Sequence, residues 1–170
     1  MTGFVLALLL GIIFLTVQGT LLTKWSWNGY FLDLVSLYII YIGLTFPLKR
    51  SIVIALMAGF LLDLESGSPM GLSAGIFLVL VLAGHIIKIN SMMGGSWFYM
   101  GVILVLTLLE GILYIAGGVY FRNLEWESGV WIRMIIQAVF MALIGPLLFW
   151  GFDTLIRRFE KVGGRSGLRL

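Results

Sequence analysis

Three acidic residues stand out because each lies within or beside a long apolar stretch: Asp33, Asp63 and Glu110. An ionisable side chain inside a membrane span is costly, so it indicates a functional or structural site that has a partner. Glu110 is the clearest case, near the middle of the run TLLEGILY. We expect it to face other helices, either as a neutral or hydrogen-bonded carboxyl that holds them together or as part of a polar cavity or partner site.

Asp63 follows two small residues at regular spacing. Ala55, Gly59 and Asp63 are four residues apart, so on a helix they share one face. Small residues on such a face let two helices approach closely in lipid. The pattern predicts that Asp63 ends a packed seam and does not face lipid.

The residues after Asp63 predict a tight turn. The stretch ESGSPMG is rich in glycine, serine and proline, and Gly71 and Gly75 then predict a second stripe of small residues. We therefore expect a close helical hairpin in which Asp63 accepts hydrogen bonds from the turn at residues 66–71 or from the start of the next helix. The beginning of a helix is an anion-binding site, which favours this arrangement.

Motifs for catalysis are absent from the sequence. There is one histidine, His85, and no cysteine, so common zinc sites lack ligands. No nucleophile elbow, paired-histidine zinc motif or phosphate-binding loop is present. We predict no enzymatic activity, no cofactor and no metal. His85 and Lys88 indicate either an interfacial polar pair or a proton relay, and Asp153 and Arg157 predict a local helix pair.

The composition indicates a membrane protein. The chain has 170 residues, of which 61% are hydrophobic and 11% are charged, whereas soluble domains average about 45–50% apolar and about 25% charged residues. The sequence pI is near 9.4, but the basic residues lie at the ends of apolar segments. We therefore do not expect nucleic acid as a partner.

Six apolar segments are candidates for helical spans, which need about 20 apolar residues each. They predict an all-α integral membrane protein with one compact six-helix domain over residues 1–156 and a basic cytoplasmic tail over residues 157–170. Segment three is expected to be short, about 18 Å of helix, because twelve residues separate Arg50 from Asp63. A re-entrant segment three stays an alternative. The segments are Gly3–Thr23, Tyr30–Leu48, Ser51–Leu64, Gly71–Ile87, Trp97–Tyr120 and Val130–Ile156.

The distribution of basic residues predicts the orientation. With the N-terminus inside, eight lysines and arginines fall on the cytoplasmic side and three on the outer side, as the positive-inside rule requires. The N-terminal apolar run lacks a basic leader, so we interpret it as a retained first helix. We expect both termini in the cytoplasm, with the tail on the anionic inner leaflet or bound to a cytosolic partner.

The hairpin stretch AGFLLDLESGSPMGLSA, residues 58–74, resembles the MreD family of bacterial rod-shape-determining membrane proteins. That family typically shows Gly-Phe, Leu-Leu-Asp, a short turn and then Leu-Gly. In this chain Met70 stands where leucine is usual. Leu32-Asp33-Leu34 is similar to the family's Pro-Asp-Leu, with Leu32 in place of proline.

The resemblance implies a non-enzymatic scaffold of the elongasome, the machinery that inserts peptidoglycan along the side wall of rod-shaped cells. It implies an inner-membrane location and an MreC-like single-pass partner. Through that partner it implies indirect links to an MreB-like filament, a RodA-like glycosyltransferase and a penicillin-binding transpeptidase. The family fold is also similar to the substrate-binding subunits of energy-coupling-factor vitamin transporters, and such a subunit is the alternative function.

Overall fold

Helices make up almost all of the described part of the chain. The computed structural model describes residues 11–14, 16, 18, 33–66, 69–90, 95–122 and 129–165. No strand occurs in these ranges, and residues 11–14 and 16 are also helical, so the all-α prediction is confirmed for them. The main helices are α1 (Leu34–Thr45), α2 (Leu48–Ser66), α3 (Leu72–Asn90), α4 (Gly95–Arg122) and α5 (Val130–Arg165).

Three of the described helices are long and apolar enough to cross a membrane: Leu72–Asn90, Trp97–Tyr120 and Val130–Leu155. They bear out the prediction of a helical membrane protein. Most of the first predicted segment, Gly3–Thr23, lies outside the described residues.

Helix α1 is the central helix, and it is shorter than the predicted second segment. Its twelve residues span about 18 Å, against roughly 30 Å of hydrocarbon. All ten residues from Val35 to Leu44 are buried, because a helix that is apolar on every side is stable only when it is surrounded. The helix ends at Thr45, with Phe46 as its C-cap before Pro47, and α2 begins at Leu48.

Helix α2 is longer than the predicted third segment. It has 19 residues, or about 28 Å, because it includes the charged residues on both sides of the apolar run. It is not among the described helices that are apolar enough to cross a membrane, so whether segment three crosses fully or is re-entrant remains a prediction. Lys49 and Arg50 belong to its first turn, and the helix continues past Asp63 to Ser66. The charged residues that marked the ends of the apolar run do not mark the ends of the helix.

An aromatic cluster joins α1 to α5 and to the N-terminal helical residues. Phe14 packs against Tyr38 and Phe152, with ring centroids 5.7 and 5.1 Å apart. Tyr41 packs edge-on against Phe149 and Phe152 at 5.3 and 5.4 Å. Tilted and edge-to-face pairs at these distances are favourable, so the cluster holds the two ends of the described chain against its central helix.

Helix α5 continues beyond the predicted domain boundary. The backbone stays helical from Ile156 to Arg165, so the first part of the tail extends the last helix. The side chain of Arg157 lies outside the described residues, and its predicted pair with Asp153 remains a prediction.

Candidate functional site

Asp63 joins the end of α2 to the beginning of α3. Its carboxylate accepts hydrogen bonds from the backbone N–H of Gly71 at 2.8 Å and of Ser73 at 2.9 Å. The residue is only 2% exposed. The first backbone N–H groups of a helix have no partners within it, so Asp63 caps α3 from the neighbouring helix. The predicted bond from Asp63 to the turn is confirmed, and the start of α3 supplies the second donor.

The predicted close approach of the hairpin helices is confirmed at Gly59. A Cβ atom at Gly59 would overlap the backbone of Ala74 and lie 2.9 Å from the carbonyl carbon of Ser73. Ala55, one turn earlier, is fully buried. The seam therefore forms between the small residues of α2 and the first turn of α3.

Gly71 and Gly75, which the sequence predicts to lie in this seam, do not pack there. A Cβ atom on Gly75 would meet nothing within 4 Å, and the residue is exposed. The prediction that Gly71 and Gly75 form the packing stripe is therefore wrong, because Ser73 and Ala74 occupy the inward face. Gly71 is instead a turn residue with φ +95°, a conformation that favours glycine.

Asp33 caps the start of α1. Its Oδ1 accepts hydrogen bonds from the backbone N–H of Ser36 at 2.9 Å and from the side chain of Gln18 at 3.0 Å. Gln18 Oε1 accepts in turn from the N–H of Val35 at 3.0 Å. Aspartate is a preferred N-cap residue because it satisfies such donors. Gln18 completes the cap from a separate part of the chain.

Glu110 faces the interior of the helix bundle, as predicted. It is 3% exposed, and its Oε1 accepts a hydrogen bond from the hydroxyl of Ser36. Its other oxygen, Oε2, is buried and has no hydrogen-bond partner among the described residues. A buried carboxyl without full hydrogen bonding is costly, so this oxygen needs an explanation.

Tyr114 connects Glu110 to the hairpin. The Tyr114 hydroxyl lies beside Ser73 and within electrostatic range of the carboxyls of Glu110, Asp33 and Asp63. The three acidic residues singled out in the sequence therefore lie at one end of the bundle. We call the set the polar layer; its members are Asp33, Ser36, Asp63, Ser73, Glu110 and Tyr114.

A conservative change at Glu110 should be tolerated better than an apolar one. Glu110→Gln keeps an acceptor for the Ser36 hydroxyl, whereas Glu110→Leu leaves that buried hydroxyl unpaired at roughly 1–3 kcal/mol. We expect the leucine variant to have the lower thermal unfolding midpoint in mild detergent. A glutamine variant that is as unstable as the leucine variant would show that hydrogen bonding to Ser36 is not what stabilises this position.

A cavity of ≈350 Å³ lies beside the polar layer, between α4 and α5. Asp33, Glu110 and Arg133 are the charged residues among those that line it. The cavity belongs to the size range of small-molecule pockets, about 300–1,000 Å³. Its lining residues are Asp33, Thr107, Glu110, Gly111, Tyr114, Ile115, Val130, Arg133, Met134 and Gln137.

Lys88 has a structural role at the opposite end of the bundle. Its ammonium donates hydrogen bonds to the carbonyl oxygens of Thr45 at 2.9 Å and Phe46 at 3.4 Å. A cation at a helix C-terminus is favourable, so Lys88 caps α1. His85 Nδ1 is buried without a hydrogen-bond partner among the described residues. Its interfacial and proton-relay interpretations remain predictions.

Sequence reasoning missed several residues of the polar layer, although two left a local signal. Ser36 lies three residues after the Asp33 cap, the position whose N–H a cap receives. Tyr114 lies four residues after Glu110, on the same helix face. Ser73, and Gln18 beside the layer, left no such signal, because their partners are distant in the sequence. No group of three or more histidine or acidic residues suited to a metal occurs in the described ranges.

No family model matches the chain, and no curated protein and no solved structure matches it.

Proposed function

We propose that this protein is a non-enzymatic membrane scaffold of the MreD type, which supports side-wall peptidoglycan synthesis and rod shape in a bacterial inner membrane. The observation that carries the proposal is the hydrogen bonding of Asp63. The aspartate of the family-like stretch is buried and bonded to two backbone N–H groups of the next helix. A motif residue that joins two helices is expected of a scaffold, whose task is to keep a binding surface in shape.

The proposed partner is an MreC-like single-pass membrane protein. Helix α5 offers a wide apolar face for lipid or for a partner helix, because large apolar side chains on it remain exposed. Helix association in lipid depends on close packing and on a few polar bonds, so such a face is suitable for a single partner helix. The exposed residues include Ile132, Ile135, Ile136, Val139, Phe140, Leu143 and Leu147.

We propose that both termini are cytoplasmic in a six-span topology. Lys49 and Arg50 begin α2 at the same end of the bundle as Lys88, which bonds to the end of α1. Asp33 and Asp63 lie at the other end, and this separation fits the positive-inside rule. A cytoplasmic reporter fused after Leu170 should be active. Activity of a periplasm-dependent reporter at that position would contradict the topology.

The scaffold function predicts capture of the partner and a shape defect. An MreC-like protein from the same host should co-purify with the tagged full chain in mild detergent. Depletion in a rod-shaped host should give rounded cells, because side-wall insertion loses its scaffold. Levels of the lipid-linked precursor should stay unchanged, because the protein catalyses no step. Normal shape and no co-purification would together overturn the proposal.

The cavity beside Glu110 favours the second candidate function, a substrate-binding subunit of a vitamin transporter. Such a subunit needs a concave site with a few placed polar groups, and the cavity has carboxyl, hydroxyl and amide side chains in its wall. In that case depletion would block uptake of a vitamin and leave cell shape normal. The same depletion strain thus distinguishes the two functions.

A further inference from the structure

Another cavity, of ≈580 Å³, lies at the end of the bundle opposite the polar layer. Thr45 is the last residue of α1, Lys88 belongs to the last turn of α3, and Gly95 is the first residue of α4. Because α3 and α4 are among the described helices able to cross a membrane, their ends place this cavity at a membrane surface. Its lining residues are Tyr41, Leu44, Thr45, Lys88, Gly95, Tyr99, Pro146, Phe149, Trp150 and Asp153.

Exposed tryptophans at this end of the bundle mark the same level. Trp97, two residues after Gly95, is 85% exposed, and Trp150, which lines the cavity, is 70% exposed. Indole rings are enriched at the level of the lipid headgroups, because they are amphipathic. Phospholipids are the most abundant molecules at that level, so we expect a ligand of this cavity to be a lipid.

The inner wall of the cavity is aromatic. Tyr41 and Phe149 are both buried, and their ring centroids lie 5.3 Å apart. Phe149 also packs edge-on against Tyr99, at 5.9 Å. Pro146 continues this wall one turn before Phe149 on α5. Stacked rings of this kind form a firm surface, which is suited to the glycerol and the first methylene groups of a lipid.

The lining carries one charge of each sign, from Lys88 and Asp153. The Lys88 ammonium donates to the carbonyl oxygens of Thr45 and Phe46, and an ammonium has three donors, so one remains for a ligand. Asp153 is partly exposed and lies four residues after Phe149, on the same helix face. Asp153 also interacts within the chain, but a carboxylate accepts several hydrogen bonds on its two oxygens.

We propose that this cavity binds the headgroup of a zwitterionic phospholipid. The phosphate accepts a hydrogen bond from the Lys88 ammonium, the ammonium of the lipid pairs with Asp153, and the glycerol lies against the aromatic wall. An anionic lipid with a phosphoglycerol headgroup has a partner for Lys88 and none for Asp153. The proposal needs a membrane location only and does not rest on the scaffold function.

Protection of a single cysteine tests this site, because the chain has no cysteine of its own. Thr45 lines the cavity and is exposed, and Thr45→Cys keeps the backbone carbonyl that Lys88 uses. The full chain in an uncharged maltoside detergent is treated with N-ethylmaleimide. Dihexanoylphosphatidylethanolamine should slow the reaction at Thr45→Cys. Met70→Cys, at a site that is 75% exposed, controls for changes in the micelle and should be unaffected.

The choice between lipids tests the pairing of charges. Dihexanoylphosphatidylglycerol should need about a fivefold higher concentration for equal protection, the order of one partly exposed ion pair. Asp153→Asn in the Thr45→Cys background should remove this preference. Lys88→Gln should weaken protection by both lipids about fivefold, whereas Lys49→Gln, which changes an exposed lysine at the same end, should leave it unchanged. If Lys88→Gln does not elute as a folded protein on gel filtration, the effect of Asp153→Asn decides.

The free headgroup distinguishes a lipid from a soluble phosphate ester. Phosphoethanolamine lacks the glycerol and the acyl chains, so it should protect Thr45→Cys at least about tenfold less well than the lipid, because it buries less apolar surface. Equal protection by phosphoethanolamine would assign the site to a soluble ligand and overturn the proposal. Absence of protection by the lipid, or a lipid preference that Asp153→Asn leaves intact, would also overturn it. The measurement needs no partner, so its failure would leave the pull-down result unaffected.

Discussion

Asp63→Ala should lower the thermal unfolding midpoint of the protein and weaken capture of the single-pass partner. The change leaves two backbone N–H groups without their acceptor, a half-buried one at Gly71 and a buried one at Ser73. Each unpaired buried donor costs roughly 1–3 kcal/mol. Because the two donors belong to the turn and to the start of α3, the angle between α2 and α3 should also lose its constraint. Thermal unfolding in mild detergent and the pull-down measure the two effects.

Two further variants separate the role of the Asp63 carboxyl from that of charge. Asp63→Asn keeps one acceptor oxygen and should lose less stability than alanine. Glu65→Ala removes an exposed carboxyl two residues away and should change the free energy of unfolding by no more than about 0.5 kcal/mol. Equal tolerance of Asp63→Ala and Glu65→Ala would show that the aspartate does not join the helices, and would reopen its interpretation as a ligand site.

Gly59→Ala should destabilise the hairpin strongly although it adds a single methyl group. The new Cβ would overlap the backbone of Ala74, and a backbone has no alternative rotamer that relieves the overlap. Inserting a methyl group into a close-packed contact typically costs about 1–3 kcal/mol. We expect α2 and α3 to separate locally, with a lower unfolding midpoint and more rapid proteolysis at the turn between them.

Gly75→Ala is the matched control, and its effect should have the opposite sign. Gly75 lies in α3 with open space around its Cα. Replacing glycine by alanine within a helix is worth roughly 0.5–1 kcal/mol of stability. A loss of stability at Gly75 comparable to that at Gly59 would indicate that the exposed side of α3 is a packed interface in solution. A harmless Gly59→Ala would contradict the close contact with Ala74.

The sequence by itself determined the features that depend on composition and on short spacings. Its excess of apolar residues predicted a membrane protein, and the long apolar runs of α3, α4 and α5 predicted helices that are able to span a membrane. The spacing of Ala55, Gly59 and Asp63 predicted one helix face, because helical neighbours are four residues apart. The bond from Asp63 to the turn was also predictable, since both partners belong to one short hairpin.

Only the tertiary structure decided which of these features come together. An apolar run such as α1 does not reveal whether lipid or protein surrounds it, and in the folded chain protein surrounds it. Small residues at a regular spacing do not reveal which member makes the contact, so Gly75 was assigned to a seam that Ala74 occupies. Ser36 meets Glu110 across 74 positions of sequence. Such a pair depends on how whole helices are packed, and packing is decided by the sum of many weak contacts that no local pattern records.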